Sequence, residues 1–259
     1  MYTTVDTVKE KERAYQSLLQ YNASHTSGRG FGIKLEMRIF DALTTLRDQG
    51  VADAHAGGRI YHTDGLGLIL GYDPSLHTQP SHNYFDIPKA GKDGAGKDVF
   101  AGINPHPSVF AENVTVSLTD AMKRDGVVLI STDGQLLHSG TYIDFCVRDI
   151  FQCHPYGAAT YQLINTNLRA DGDNGVDAGT RHKNSVALSC VLPDVLIYIL
   201  KSDKPQIRII AGGHVVHSTD PRDVNHPSSL SIACLVPLLS PPLGVAPAPS
   251  LACVAASYQ

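Results

Sequence analysis

At 259 residues the chain is long enough for one large domain or two small ones, each with a real core. Its 42% hydrophobic and 18% charged residues are a globular composition, and a net charge of -4 argues against broad nucleic-acid binding through a basic surface. A local pocket for a small anion stays compatible with that balance.

From about Asp6 to Tyr21 good helix formers dominate, and Ala14, Leu18 and Tyr21 are spaced to share one face. Asn22 to Gly32 breaks the pattern, giving an N-terminal helical segment over 1–32. Ile33, Met37, Phe40 and Leu43 then recur at helical spacing, with Gly50 as the expected stop. The glycine-bounded apolar run Gly65 to Leu70 suits a buried strand. Tyr72 to Phe110 is crowded with Gly, Pro, His and Asp and shows no period, which predicts a loop insertion over 72–112. Inside it Gly91 to Asp98 imitates a phosphate-binding loop. Asp98 stands where a magnesium-holding Ser or Thr belongs, and Pro88 interrupts the feeding strand, so a solvated turn is expected.

Regular structure is expected again from Val114. Ser117 to Arg124 predicts a short helix capped by Ser117 or Thr119. Asp125 to Ile130 and Gln135 to Gly140 flank a turn containing Asp133-Gly134, a hairpin pattern with Asp125 and Gly126 at its mouth. Tyr142 to Ala178 is less regular. Asp171-Gly172-Asp173-Asn174-Gly175 resembles part of a calcium loop but has His182 at the twelfth position, so an acidic loop is the better reading. Cys153-His154 and the remaining histidines lack paired metal-ligand spacing. Val186 to Leu192 continues a helix until Pro193. Asp194 to Leu200 and Gln206 to Ile210 predict a strand pair, and Gly212-Gly213 a turn into His214-Val215-Val216.

The five cysteines, Cys146, Cys153, Cys190, Cys234 and Cys253, are odd in number and widely spread, which favours reduced thiols in the cytosol over a disulfide framework. Met1 to Glu10 has no apolar core for a secretory signal. Val224 to Gln259 carries no Lys, Arg, Asp or Glu and is broken by Pro237, Pro241, Pro242, Pro247 and Pro249. The 221–259 stretch therefore reads as an uncharged, loosely packed tail in which no membrane-spanning helix is expected.

Gly179-Thr180-Arg181-His182-Lys183-Asn184-Ser185 is the stretch richest in chemistry. At a helix start it would aim backbone N–H groups and the positive end of the dipole at an anion. Arg181 adds a planar fork for phosphate oxygens, and His182 a donor whose charge changes near neutral pH. An ordinary N-cap with scattered charge is the plainer alternative.

Asp125-Gly126 on a buried hairpin, followed by Gly-Thr-Arg-His at a helix start and then a strand pair, resembles the diadenylate cyclase domain of DNA-integrity-scanning proteins and related cyclic di-AMP synthases. The resemblance covers roughly Val114 to Gly213, with a looser match at Ile33 to Arg47 and Leu66 to Leu70. It implies an α/β fold, a mixed central β-sheet flanked by helices, over 33–220. It also implies two ATP molecules condensed to cyclic di-AMP, with release of pyrophosphate, between face-to-face protomers of a homodimer. Asp125 would bind Mg2+ or Mn2+ and position the ribose hydroxyl, with Asp203 as a second metal carboxylate. Gly126 and Val127 would lie against the nucleotide, and Gly179, Thr180, Arg181, His182 and Lys183 around the phosphates. Alignment, a metal and cations are what phosphoryl transfer needs.

Three motifs depart from the family pattern. Val127 replaces an alanine, Lys183-Asn184-Ser185 replaces Arg-Ala-Ala, and Lys201-Ser202-Asp203 replaces Ser-Glu-Glu. Lysine keeps the charge of arginine but loses its bidentate fork. These departures support an alternative: a nucleotide or cyclic-dinucleotide sensor of the same fold without turnover.

Overall fold

Alternation within the strands sets the layers of the protein. In a computed structural model, residues 6–25, 31–55, 65–77, 84–88, 98–170, 179–201, 206–220 and 222–223 are described; the side chains of 51–55 and 169–170 are not. Leu66, Leu68 and Leu70 of β1 (Leu66–Leu70) face one core, whereas Ile69 faces another. Because strand side chains point to opposite faces with period two, a strand buried on both faces can be apolar throughout. The same split recurs in β3 (Val127–Ile130) and β5 (Leu196–Leu200).

Seven strands form one mixed sheet in the order β2-β4-β3-β1-β5-β6-β7. The other members are β2 (Phe85–Asp86), β4 (Leu136–Ile143), β6 (Ile207–Ala211) and β7 (His214–Ser218). β1 runs parallel to β3, and every other pairing is antiparallel. The first core is closed by α1 (Thr7–Ser24), α2 (Ile33–His55) and α4 (Val114–Met122). The second is closed by α6 (Pro155–Ala170) and α7 (Thr180–Val191), through Tyr161, Ile164, Leu168, Val186 and Leu188. This is the α/β architecture expected from the sequence. All described residues fall within one compact unit, Met1–Val224, and α1 supplies Ala14, Leu18 and Tyr21 to its core.

Several boundaries and elements differ from expectation. α2 continues past Gly50 to His55, and α4 begins at Val114 with Asn113, not Ser117 or Thr119, in the capping position. The expected loop at 72–112 contains a one-turn helix, α3 (Pro74–His77), and the edge strand β2. Both are too short for a period to be read, and tertiary contacts hold them: the His77 ring accepts from the Asp73 amide, and Phe85 packs edge-on against Tyr72. Asp98 is not solvated. It is 3% exposed, accepts from the Phe100 and Ser139 amides and the Ser139 hydroxyl, and pairs with His138 Nδ1 at 2.8 Å. Residues 91–97 of the phosphate-loop imitation lie outside the described residues.

Two helices occupy the stretch expected to be irregular: α5 (Val147–Cys153) and α6. α6 begins at a proline, a favoured first helical position, and its burying face is spelled by Tyr161, Ile164 and Leu168. Gln162, Asn165, Thr166 and Asn167 between them mask that face in a composition-based reading. Cys146 and Cys190 are free thiols, Cys146 exposed and Cys190 buried. The acidic 171–175 loop and the 224–259 tail lie outside the described residues. Among the described residues no helix is long and apolar enough to cross a membrane.

Candidate functional site

The hairpin and α7 meet at one end of β3. Gly126 has φ +103, and a Cβ there would come within 2.6 Å of the Thr141 carbonyl oxygen on β4, so only glycine carries the chain into the strand at this point. Its amide donates to Asp125 Oδ1 at 2.8 Å, which fixes the carboxylate at the strand mouth. Across the sheet Gly67 on β1 pairs with Val127. A Cβ on Gly67 would lie 2.8 Å from Val127 Cγ1 and 3.3 Å from Arg181 Cδ. The glycine thus makes the shelf on which the Arg181 stem rests.

α7 starts at Gly179, whose carbonyl accepts the His182 and Lys183 amides. The amides of Thr180 and Arg181 lie ahead of that ladder, at the positive end of the dipole. Arg181 Nη2 lies 3.4 Å from Asp125 Oδ1, with side-chain exposures of 14% and 54%. A long contact to a half-exposed carboxylate holds little energy, on the order of 0–1 kcal/mol. The Arg181 stem also packs beside Gly67, so the contact to Asp125 is one of several that place the guanidinium.

Tyr142 completes this edge and was not singled out from the sequence. β4 runs past Gly140 to Ile143, which pairs Tyr142 with Asp86 of β2. Burial, then the nearby Asp125 carboxylate, then Asp86, push the phenol above its ordinary value, so Tyr142 stays neutral beside Asp125. Following the alternation of β4 beyond its glycine was the signal that would have found it. Gly67 gave no signal of its own, since its role depends on a helix more than a hundred residues away.

The other sequence-selected residues divide. Thr180 and Lys183 are exposed on the first turn, and Lys183 Nζ stands 5.9 Å over the Tyr161 ring. Asn184 Nδ2 donates to the Ile143 carbonyl, tying α7 to β4. His182 corrects the expectation of a chargeable donor beside the phosphates: it is 5% exposed, faces Arg208 on β6, and its ring is held well below its ordinary value by burial and then by Arg208, Lys201 and Arg181. Asp203 lies outside the described residues. Among the described residues no group of three or more His, Cys, Asp or Glu is placed to hold a metal ion.

An open groove of about 640 Å³ lies elsewhere, over α1 and α2, between Tyr15, Met37 and Phe110. It holds none of the residues selected from the sequence. The site at issue is therefore the exposed edge formed by Asp125, Tyr142 and Arg181.

No protein-family model matches the chain, and no curated protein matches it. A solved structure from Bacillus cereus, described as a hypothetical membrane spanning protein, is similar at a TM-score of 0.36 and 12% identity. That match covers 68% of this chain and 59% of the other, so it spans less than two thirds of that protein. A likeness at this score carries no argument about function.

Proposed function

We propose that the protein is a cytoplasmic diadenylate cyclase-like nucleotidyltransferase that condenses two ATP into cyclic di-AMP and releases pyrophosphate. The observation that carries the reading is the meeting of Asp125 with Arg181 at the N-terminus of α7, 56 residues apart in sequence and 3.4 Å apart in space. Gly67 leaves room for the Arg181 stem, and Gly126 lets the strand carrying Asp125 pass close to the Gly140 and Thr141 backbone.

In this reading the ATP phosphates lie against the first turn of α7, where the dipole, Thr180 and Arg181 meet negative charge. Lys183 adds a cation one turn position further. Asp125 receives or orients the ribose hydroxyl proton, with the neutral Tyr142 beside it. Val127 and Gly126 bound the nucleotide. A second copy of the chain brings the opposite ATP, since each hydroxyl must attack the other nucleotide's α-phosphate.

The donor set fits a divalent metal delivered with the nucleotide. Asp125 offers one half-exposed carboxylate, and Mg2+ is commonly held by one or two carboxylates together with substrate phosphates. Mg2+ or Mn2+ bound there would neutralise charge developing on the phosphoryl oxygens.

The same contact supports a second reading, a nucleotide or cyclic-dinucleotide sensor. Arg181 already contacts Asp125, with Tyr142 beside it, and Val127 fills space beside Gly67. One experiment separates the two. The purified protein is incubated with ATP and Mg2+ or Mn2+, products are identified by mass spectrometry, and ATP and cyclic di-AMP binding are measured by calorimetry. Cyclic product that is lost in Asp125→Asn supports the cyclase. Binding without product supports the sensor, and neither product nor binding refutes both.

A further inference from the structure

We infer that His182 is a positioning residue, locked as the Nδ1–H tautomer by Arg208, and that it sets the first turn of α7 so that Arg181 meets Asp125. Its bearing on phosphate binding rests on the function proposed above, but its geometry does not. Arg208 has donors only, and its Nη1 lies 3.1 Å from His182 Nε2. Nε2 must therefore accept, and a neutral ring carries its proton on Nδ1.

Arg208 is itself fixed from every side. Its Nε donates to Asp223 Oδ2 at 2.6 Å and its Nη2 to Gln206 Oε1 at 3.1 Å. Asp223 accepts in turn from the Ser218 hydroxyl and from Asn167 Nδ2 on α6, both at 2.8 Å. Arg208 and the Asp223 side chain have no exposure at all. The charges facing His182 are Arg208 from β6, Lys201 from the end of β5, and Arg181 from its own helix. All are cations, so among the described residues no carboxylate facing the ring stabilises an imidazolium, and Asp223 acts on it through Arg208.

The consequence is geometric. Arg181 and His182 are adjacent on α7 and diverge, one to the exposed edge and one into the buried network. Holding the second holds the phase of the helix and hence the direction of the first. Sites that act by electrostatic alignment need such support from locked neighbours.

The test uses the full chain and two variants. In His182→Gln the amide oxygen can accept from Arg208, whereas in His182→Ala nothing can. Imidazole nitrogen NMR of the wild type is expected to show His182 as a neutral Nδ1–H ring from pH 5.5 to 8. Amide exchange over 180–185 is expected to rise at least about tenfold in His182→Ala, as expected for a loosened turn, and to return near wild type in His182→Gln. ATP affinity, by calorimetry at pH 8, where the terminal phosphate is fully ionised, should follow the same order. The inference is overturned by a His182 that titrates near pH 6.5, by an Nε2–H ring, or by His182→Gln failing as badly as His182→Ala. If the wild type binds no ATP, the function proposed above fails, while tautomer and exchange still decide the role of His182.

Discussion

Removing the Asp223 carboxylate tests the buried network most directly. Asp223→Ala leaves Arg208 as a cation with no exposure and strips acceptors from Ser218 and Asn167. Breaking a buried ion pair by deleting one partner costs about 3–5 kcal/mol, because the remaining charge has no compensation. For a compact unit of this size each kcal/mol lowers Tm by about 2–4 °C, so the variant should melt about 6–20 °C below wild type by circular dichroism. The double variant Arg208→Met with Asp223→Leu removes both charges and should recover most of that loss. It does not restore the donor to His182, so amide exchange over the start of α7 should stay fast even where stability returns. A Tm shift of under about 3 °C for Asp223→Ala, or a double variant no more stable than the single one, would refute the reasoning; about 1 kcal/mol is the ceiling for an exposed pair.

Gly126→Ala should destabilise by at least about 1–3 kcal/mol from backbone strain alone, since the new Cβ has no side chain to push aside, only the Gly140 and Thr141 backbone. Urea denaturation measures this, and a neutral result would remove the strain argument. Gly67→Ala should weaken nucleotide binding by displacing Arg181, and Val127→Ala should partly rescue it, giving a coupling of about 0.5–3 kcal/mol in a double-mutant cycle. Additive effects would show that the three residues do not share one shelf. For pH, burial and then Arg13 push the His217 imidazole down to about 4. The unfolded chain binds that proton below about pH 6.5 and the folded chain only below about 4. Stability is therefore complete above about 6.5 and falls by about 3 kcal/mol as pH drops to 4. His217→Gln should flatten that decline, and an unchanged pH profile would exclude His217 as its source.

The strands were the most legible part of the molecule. Gly65 to Leu70, Val127 to Ile130 and Val195 to Leu200 are apolar runs bounded by turn residues, and each became a strand buried on both faces. The helix at Thr180 was legible from its motif, and α1 and α2 from their stripes. α5, α6, α3 and β2 were not, because their identity rests on what they pack against. Tyr161, Ile164 and Leu168 signal a helix face only once a second core awaits them, and a four-residue helix has no period to detect.

The candidate site divides in the same way. Residue chemistry along the chain was enough to single out Gly179 to Ser185 as a stretch suited to an anion, since cation, hydroxyl and glycine are properties of side chains and backbone, while Asp125 and Gly126 came from the family resemblance. The part played by Gly67 was not readable, because β1 lies between β3 and β5 and brings that glycine under Arg181 from a distant segment. Nor could the motif show that Arg181 and His182 part company. Neighbours on a helix project about 100° apart, so one can reach the exposed edge while the other is buried, and only the placement of Arg208 and Asp223 decides which.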